Sequence, residues 1–337
     1  MSPTKIAING FGRIGRIFFR QAFGRPEFEI VAINDLGDPE NMAYLLKYDS
    51  VYGRYNKSVE FKDGNLVVAG TPVKVIQEKD PAKLPWGQLG IDIVVEATGV
   101  FESYDQAMPH VTAGAKRVVL TAPPKDENTP TSTPGVGEET LASSPITSNA
   151  SCTTNATNPV IAIMHEALGI EKAMMTTVHA YTATQGLVDG PDKKGDFRRA
   201  RAAAMNIVPS TTGAAKTTTR VITELKDKFD GIAIRVPVVA GSLIDLTFVA
   251  KRATTAEEVN DIFRAACRSE KWRGIISYTE DQVVSTDILK TEFGSIVDLA
   301  LTRVVDNNLV KVFSWYDNEW GYTAMLVKHV ATVAKLI

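Results

Sequence analysis

The chain has 337 residues, of which 44% are hydrophobic, and at about 100 to 200 residues per domain it is long enough for two globular domains. A formal net charge of −2 with 23% charged residues excludes a strong overall field for nucleic acid or for an acidic membrane surface. Two cysteines cannot form a disulfide framework, and no apolar run approaches the roughly 18 residues of a membrane span, so we predict a reducing, cytoplasmic compartment.

Short β-rich runs alternate with helical patterns through the first 150 residues. The β-rich runs include KIAIN, EIVAIND, IDIVVEATG and AKRVVLTAP, and RIFFRQAF is the first helical pattern between them. This alternation predicts a parallel sheet with crossover helices. The segment EFKDGNLVVAGTPVKVI carries turn signals between β-rich runs, so we expect a small antiparallel excursion inside this domain.

A glycine-rich turn follows the first predicted strand. Gly10, Gly12 and Gly15 in NGFGRIG have the spacing G-x-G-x-x-G and open the first predicted helix. In this context Gly10 permits the tight turn, Gly12 lets the backbone approach a pyrophosphate, and Gly15 lets helix and strand pack closely. The alternative is a glycine turn of an α/β protein that binds no ligand.

Asp35 decides which dinucleotide the turn would bind. It closes the second predicted strand, 20 residues after Gly15. A carboxylate at that place can bind the ribose diol of NAD and repels the extra phosphate of NADP. The following Leu36 and Gly37 offer no arginine that would reverse this preference, so NAD is the predicted cofactor, and we predict no metal site.

Cys152 lies between a strand-like run, PITSN, and a helical pattern, TTNATNPVIAIMHEAL, which is predicted to kink or restart at Asn158-Pro159. A free cysteine is more often a small buried hydrophobe than a nucleophile. At a helix N-terminus, however, the dipole lowers the pKa of a thiol, and a protonated histidine lowers it further. His179, at the end of a β-rich run, is the best candidate partner, but the sequence does not show whether the two side chains touch.

After Cys152 the pattern changes to longer β-rich runs, which predict a second domain with a mixed or antiparallel sheet. Between them, Thr255 and Glu258 form a capping box before a helix whose apolar face includes Cys267, which we therefore assign to the core. Helical spacing near the C-terminus places His329 in a structural role. His110 and His165 lie in helical patterns and are interpreted as surface or packing residues.

Two segments of the second domain have the features of anion sites. Thr212 and Gly213 in PSTTGAAK stand at a predicted helix start, and Arg235 in GIAIRVP stands near a strand end, where its guanidinium could bind a phosphate. The basic run KKGDFRRAR is short and contains Asp196. We interpret it as a surface or subunit-contact loop that donates one arginine to a small anion, not as a nucleic-acid site.

Together NGFGRIGR, SNASCTTN, TVHAYTATQ, PSTTGAAK, RVP and SWYDNEWGY resemble the phosphorylating glyceraldehyde-3-phosphate dehydrogenases over essentially the full chain. The resemblance implies an α/β fold class: a Rossmann dinucleotide-binding domain plus an α+β catalytic domain with a mixed or antiparallel sheet. It implies that residues 1–151, completed by a C-terminal helix over 317–337, form the NAD-binding domain. Residues 152–316 would then form the catalytic domain.

The resemblance also implies roles for single residues. Cys152 would be the nucleophile and His179 its base. The cofactor would be bound by the glycine turn and Asp35 together with Arg13, Ile14, Lys79, Thr98, Gly99, Thr121 and Asn318. Thr182 and Arg235 would bind the substrate phosphate. The site for inorganic phosphate would be formed by Ser151, Thr153, Arg199, Thr212 and Gly213.

The implied reaction converts D-glyceraldehyde 3-phosphate, NAD and inorganic phosphate into 1,3-bisphosphoglycerate through a thiohemiacetal and a thioester of Cys152, in glycolysis or gluconeogenesis. The segment from about Tyr181 to Val208 matches a loop that lies beside a neighbouring subunit's cofactor, which implies a homotetramer. No membrane and no primary nucleic-acid partner are expected.

Two segments depart from the pattern usual in this family, 129–137 and 238–241, and the second lies just beyond Arg235. These departures leave the substrate preference open. A sister dehydrogenase acting on erythrose 4-phosphate is one alternative, and a non-catalytic NAD-binding or RNA-binding scaffold is the other.

Overall fold

The computed structural model describes residues 2–191 and 195–337. Its internal contacts divide the chain into two compact units, Met1–Ala150 with Thr323–Ile337, and Ser151–Tyr322. The first two lysines of the basic run KKGDFRRAR lie outside the described residues. No helix in the part of the chain that the structure describes is long and apolar enough to cross a membrane.

The strands in chain order are β1 (Thr4–Asn9), β2 (Phe28–Asn34), β3 (Val59–Lys62), β4 (Asn65–Val68), β5 (Thr71–Ile76), β6 (Ile93–Glu96), β7 (Arg117–Leu120), β8 (Ile146–Ser148), β9 (Ile170–Ala180), β10 (Val208–Thr211), β11 (Phe229–Val236), β12 (Ser242–Ala250), β13 (Ile276–Thr279), β14 (Ser295–Val305) and β15 (Leu309–Tyr316). The α-helices are α1 (Arg13–Ala22), α2 (Pro39–Lys47), α3 (Trp86–Leu89), α4 (Tyr104–Thr112), α5 (Cys152–Leu168), α6 (Ala214–Val221), α7 (Ala256–Arg268) and α8 (Trp320–Ala334). A short 3₁₀ helix over Glu138–Ser143 interrupts the loop before β8.

The first unit is built on one sheet in which the strand order is β3-β4-β5-β2-β1-β6-β7-β8. From β5 to β8 the neighbouring strands run parallel, whereas β3, β4 and β5 form the antiparallel excursion. The order reverses at β1, which lies between β2 and β6. Ligands of such sheets bind outside the carboxyl ends of the strands at this reversal. The Rossmann prediction is confirmed.

Helices cover both faces of this sheet, because nearly every residue of its central strands is apolar and buried. One core packs α1, α2 and α8 against the sheet, and Phe18, Phe19 and Leu326 are among its members. The other core includes Trp86 and Ala107, from the segment containing α3 and α4. The last helix of the chain thus completes the core of the first unit.

The second unit carries a sheet with the order β10-β11-β9-β12-β15-β14-β13. Its ladders are antiparallel except for β11 with β9 and β13 with β14, so the prediction of a mixed sheet is confirmed. Helix α7 begins as predicted: Thr255 is its N-cap and accepts a hydrogen bond from the Glu258 backbone N–H. Cys267 is half-buried and not a core residue, because the apolar face of α7 is deepest at Val259 and Phe263.

Helix α5 starts directly at Cys152 because Ser151 caps it. The Ser151 side chain accepts a hydrogen bond from the Thr154 backbone N–H at 3.1 Å. The helix does not restart at Asn158-Pro159 but continues through Pro159 to Leu168. Asn158 is fully buried and accepts a hydrogen bond from Thr218 of α6, so packing outweighs the local effect of the proline.

His110 and His329 are both fully buried in the first unit. His110 is therefore not a surface residue: it is bonded to Glu96 and Trp86. The ring nitrogens of His329 lie 3.3 Å from the Ser132 hydroxyl and 3.2 Å from the Thr147 hydroxyl. His329 thus ties α8 to the loop before β8 and to β8 itself, a structural role as predicted.

We expect His329 to make the first unit sensitive to acid. Burial disfavours the charged ring and lowers the pKa of His329 from 6.5 to about 3. Between these two pH values an unfolded chain binds a proton that the folded unit does not, so the free energy of unfolding falls as the pH falls. This group contributes at most about 1.4 kcal/mol per pH unit within that window.

The variant His329→Gln tests this expectation in urea unfolding measured above pH 6.5 and again midway through the window. Glutamine does not titrate, so the loss of stability between the two pH values should be smaller than in the unchanged chain. The comparison at the higher pH corrects for any general destabilisation by the substitution. An equal loss in both proteins contradicts the role of His329.

Candidate active site

The glycine turn of the first unit allows no side chain at two of its glycines. Gly10 has φ +93°, and a Cβ on it would lie 2.6 Å from the Thr98 backbone nitrogen. A Cβ on Gly15 would collide with the carbonyl oxygen of Gly10. At both glycines another backbone segment lies too close for a side chain, as a dinucleotide-binding turn requires.

Gly12 and the start of α1 provide the cradle for a diphosphate. A Cβ on Gly12 would meet nothing within 4 Å, so the space beside this backbone is open. Gly12 is the N-cap of α1, no side chain caps the helix, and its first turn contains no acidic residue. The positive end of the helix dipole therefore lies beside this open space, where it attracts an anion.

Asp35 lies directly after β2 and is bonded to the glycine turn. Its Oδ2 accepts a hydrogen bond from the Phe11 backbone N–H at 2.6 Å, and its Oδ1 accepts one from the Gly37 N–H at 2.8 Å. Each carboxylate oxygen can accept a further hydrogen bond, which suits the two hydroxyls of a ribose. These features fit NAD.

The other predicted cofactor residues of the first unit lie around the same carboxyl edge of the sheet. Thr98 and Gly99 are exposed beyond β6, and Lys79 is exposed beyond β5. Thr121 directly follows β7, and its hydroxyl donates to the carbonyl of Glu96, the last residue of β6. Arg13 is paired with Asp49 at 2.5 Å, and the Ile14 side chain packs against the core. Their contacts with a cofactor stay a prediction.

In the second unit the structure brings Cys152 and His179 together. The Cys152 Sγ lies 3.4 Å from the His179 Nε2. Cys152 is the first residue of α5, and His179 lies near the end of β9. The sulfur is therefore beside the first N–H groups of a helix and within hydrogen-bonding reach of an imidazole, the arrangement of an activated nucleophile and its base.

Arg235 lies on the other side of the His179 ring, because β11 pairs with β9 in a register that places the two residues opposite each other. Its Nη1 is 2.6 Å from the His179 Nδ1 and donates to the Ala180 carbonyl at 2.9 Å. Burial, followed by the Arg235 charge, lowers the pKa of His179 from 6.5 to about 3. The imidazole is neutral at pH 7, and while the Arg235 guanidinium donates to Nδ1, the ring proton is on Nε2, facing the sulfur.

The predicted lowering of the Cys152 pKa is not observed. Burial raises the pKa of the thiol, while the Arg235 guanidinium and hydrogen bonds at the helix start oppose that rise. His179, being neutral, supplies no positive charge to the sulfur. The positive charge nearest this pair belongs to Arg235, which the sequence analysis had assigned to the substrate phosphate alone.

Tyr316 is a residue of this site that sequence reasoning missed. Its buried hydroxyl lies 3.1 Å from the Thr153 hydroxyl and 2.8 Å from the Thr177 hydroxyl. Its ring meets the His179 ring edge to face at 5.9 Å between centroids. Tyr316 thus links α5 and β9 at the level of the thiol–imidazole pair. An aromatic residue at the end of a β-rich run is common in any sheet, so the sequence pattern did not indicate that Tyr316 belongs to the site.

The predicted residues for inorganic phosphate do not all present free side chains. The Ser151 hydroxyl caps α5, and the Thr153 hydroxyl is buried against Tyr316. Gly213, the N-cap of α6, has no side chain to cap the helix, but the Thr212 hydroxyl accepts a hydrogen bond from the Ala214 N–H at 3.2 Å. The Arg199 Nε donates to the Ser210 hydroxyl at 2.6 Å, beside the turn that carries Thr212 and Gly213.

Asn318 and the unusual segment 238–241 are in contact. The Asn318 Oδ1 accepts hydrogen bonds from the Gly241 N–H and the Ser242 hydroxyl, both at 3.0 Å. A backbone N–H can only donate, so the orientation of the amide is fixed and its NH₂ group remains a donor. The carbonyl of Val238 accepts from the Tyr181 N–H at 3.0 Å, next to Thr182. The segment 238–241 therefore contacts one predicted site residue, Asn318, and the residue before another, Thr182.

The first unit has a Rossmann sheet with a glycine turn and a helix that no side chain caps. The second unit carries a cysteine–histidine pair. Together these features define an NAD-dependent oxidoreductase. Residues 4–104 match the family profile described as glyceraldehyde 3-phosphate dehydrogenase, NAD binding domain, and residues 151–318 match the one described as its C-terminal domain. The chain belongs to the glyceraldehyde-3-phosphate dehydrogenase family, and its cofactor is NAD. The predicted family is confirmed.

Similar proteins carry the same family name over their whole length. The chain is 49% identical over 337 residues to the glyceraldehyde-3-phosphate dehydrogenase of Clostridium pasteurianum, with 99% of each chain covered. It is 51% identical over 330 residues to that of Borreliella burgdorferi, covering 96% of this chain and 97% of the other. It is 48% identical over 331 residues to glyceraldehyde-3-phosphate dehydrogenase A of Escherichia coli strain K12, covering 98% and 99%.

Proposed function

We propose that this protein oxidises D-glyceraldehyde 3-phosphate with NAD and inorganic phosphate, giving 1,3-bisphosphoglycerate, in glycolysis or gluconeogenesis. The observation that carries the proposal is the 3.4 Å approach of the Cys152 sulfur to the His179 ring at the start of α5. The named activity of relatives about 50% identical over nearly the whole chain supports the choice of substrate.

Cys152 performs the covalent step. Its sulfur attacks the aldehyde carbon, and the proton of the thiol leaves through the neighbouring imidazole, which is neutral and can take it. The imidazolium then returns this proton to the former aldehyde oxygen, and the product is a thiohemiacetal. The developing oxyanion is stabilised by the Cys152 backbone N–H at the start of α5 and by the positive charge of the helix N-terminus.

His179 then removes the hydroxyl proton of the thiohemiacetal. When bound, NAD accepts the hydride from the same carbon. The remaining acyl group is a thioester on Cys152, which inorganic phosphate can displace as an acyl phosphate. We assign that phosphate to the N-terminal end of α6, which begins after Gly213, together with Arg199.

Arg235 couples the substrate to the base. A guanidinium can only donate hydrogen bonds, so its contact with the His179 Nδ1 holds that nitrogen as an acceptor. We assign Arg235 and Thr182 to the substrate phosphate. When Arg235 turns to that phosphate, the His179 Nδ1 is free to donate to the Ala180 carbonyl, 2.6 Å away, which leaves Nε2 as the basic nitrogen facing the sulfur.

We further propose that the protein is a cytoplasmic homotetramer. Leu187, Phe197 and Met205, in the segment predicted to contact a neighbouring subunit, are 81%, 79% and 83% exposed. Met174 and Ile232 are also exposed, on the sheet of the second unit. Exposed apolar groups at this density are typical of interaction surfaces. Light scattering of the purified protein tests the proposal, and a monomer mass contradicts it.

The reaction is tested by following NADH absorbance with glyceraldehyde 3-phosphate and NAD, with and without inorganic phosphate. Turnover that requires phosphate supports the proposal. Faster turnover of erythrose 4-phosphate assigns the enzyme to the sister activity. If neither sugar produces NADH although NAD binds, the chain is a non-catalytic NAD-binding scaffold.

A further inference from the structure

We propose that Glu96 and His110 are positioning residues for NAD, which they serve through a buried chain of hydrogen bonds across the carboxyl ends of the central strands. The proposal rests on the placement of NAD given above. Neither residue was among the predicted site residues, and the two are 3% and 0% exposed in the first unit.

The chain of hydrogen bonds begins beyond β5. The Glu78 backbone N–H donates to the Asn34 Oδ1 at 2.9 Å, and the Asn34 Nδ2 donates to the Asn9 Oδ1 at 2.6 Å. The Asn9 Nδ2 then donates to the Glu96 Oε2 at 2.5 Å. Asn34, Asn9 and Glu96 are the last residues of β2, β1 and β6, so the chain links three neighbouring strand ends.

His110 and Trp86 complete the chain from α4 and α3. The indole N–H of Trp86 can only donate, and it lies 3.0 Å from the His110 Nδ1. That nitrogen must therefore be the acceptor, and the ring proton is on Nε2. The His110 Nε2 donates it to the Glu96 Oε2 at 3.1 Å. The partners thus fix a neutral histidine in one tautomer.

Glu96 is the point at which all these donors converge. Its Oε2 accepts from Asn9 and His110, and its Oε1 accepts from the Thr98 backbone N–H at 2.9 Å and from the Thr98 hydroxyl. Two of these contacts reach each carboxyl oxygen, so both oxygens of this buried group are satisfied. Replacing it with an amide places an NH₂ group against donors.

The residues of this hydrogen-bond chain adjoin residues of the cofactor site. Gly10 follows Asn9, Asp35 follows Asn34, and Lys79 follows Glu78, while Thr98 is bonded to Glu96 itself. The space between Gly10 and Thr98 is too small even for a methyl group. A small shift of one strand end therefore displaces groups that hold the ribose and the diphosphate.

A buried carboxyl group with its polar partners costs desolvation that an apolar core does not. This chain of hydrogen bonds lies at the edge where sheets of this type bind ligands. The hydrogen bonds fix the direction and spacing of the strand ends, which apolar packing fixes less strictly. We infer that the groups serve the affinity for NAD more than the stability of the unit.

The test is direct calorimetric titration of NAD into the full-length variants Glu96→Gln and His110→Leu. We expect the Kd for NAD to rise at least about tenfold in each, the size expected for losing hydrogen bonds to a buried carboxyl group. In steady state the KM for NAD should rise in parallel, while kcat at saturating NAD stays within about threefold, because the thiol and its base are untouched.

His110→Gln is the conservative variant, because its amide can still donate to Glu96, and it should recover most of the lost affinity. His329→Gln is the matched control: it also removes a fully buried histidine of the same unit, but lies outside the chain of hydrogen bonds. It should change the free energy of unfolding and leave the Kd for NAD unchanged. Should His329→Gln weaken NAD binding as much as His110→Leu, the effect is structural and the proposal is wrong.

The variant Asp35→Asn distinguishes a failure of the positioning role from a failure of the assigned NAD site. If this variant weakens NAD binding and His110→Leu does not, the positioning role is overturned and the cofactor site stands. If neither variant weakens binding, the placement of NAD itself is wrong, and the positioning role falls with it. Should Glu96→Gln fail to fold, the comparison of His110→Leu with His110→Gln decides alone.

Discussion

Replacing Cys152 with serine should reduce the turnover of glyceraldehyde 3-phosphate by at least about a thousandfold, as expected for loss of a covalent nucleophile. A serine hydroxyl ionises far less readily than a thiol. The ester that it would form is also a poorer acyl donor to phosphate than a thioester. Both the attack and the release of product are therefore slowed, and the measurement is phosphate-dependent formation of NADH.

The chain offers a matched control for this substitution. Cys267→Ser changes its other cysteine, which is half-buried on α7, and it should leave turnover essentially unchanged. Calorimetric titration should show that both variants still bind NAD. Near-normal turnover by Cys152→Ser would show that the thiol is not the nucleophile, and the proposed thioester mechanism would then be abandoned.

The variant His179→Asn should slow turnover by about 10² to 10⁴, the range for removal of a general base. Asparagine is not basic, so neither the thiol proton nor the hydroxyl proton of the thiohemiacetal has an acceptor at 3.4 Å from the sulfur. The affinity for NAD should survive, because the glycine turn and Asp35 belong to the first unit. Single-turnover measurement of NADH formation reports the chemical step.

A pH profile distinguishes a lost base from a distorted site. In the variant, the rate of NADH formation should rise with pH over a wider range, since hydroxide must replace the base. His165→Asn is the control: it changes a histidine of the same unit that lies at the end of α5 and accepts a hydrogen bond from the Ile170 N–H. Equal losses in the two variants contradict the assignment of His179.

The sequence predicted the parts of the site whose chemistry is local. Gly10, Gly12 and Gly15 are required by backbone geometry within one turn, and Asp35 stands at a fixed distance beyond them. The start of α5 at Cys152 likewise depends on Ser151, the residue beside it. In these cases the residues that determine the structure are neighbours in the chain, so their spacing is informative.

Contacts between distant residues could not be predicted in this way. The approach of Arg235 to His179 depends on the register of β11 against β9, which no short motif specifies. The pKa of the Cys152 thiol was predicted in the wrong direction, because the helix dipole is a local effect whereas burial depends on the whole unit. His110 was assigned to the surface or to packing, because helical periodicity did not reveal its partner Glu96 on a strand.

Helix α8 determines when the first unit can complete its folding during synthesis. The ribosome completes β1 to β8 early, but Leu326, Val327, Val330 and Val333, which close one of its two cores, are made only after all of Ser151–Tyr322. Until then the nascent chain carries an apolar surface without its cover, and such surfaces invite aggregation and chaperone binding. The NAD-binding unit, although encoded first, is therefore among the last parts of the molecule to finish folding.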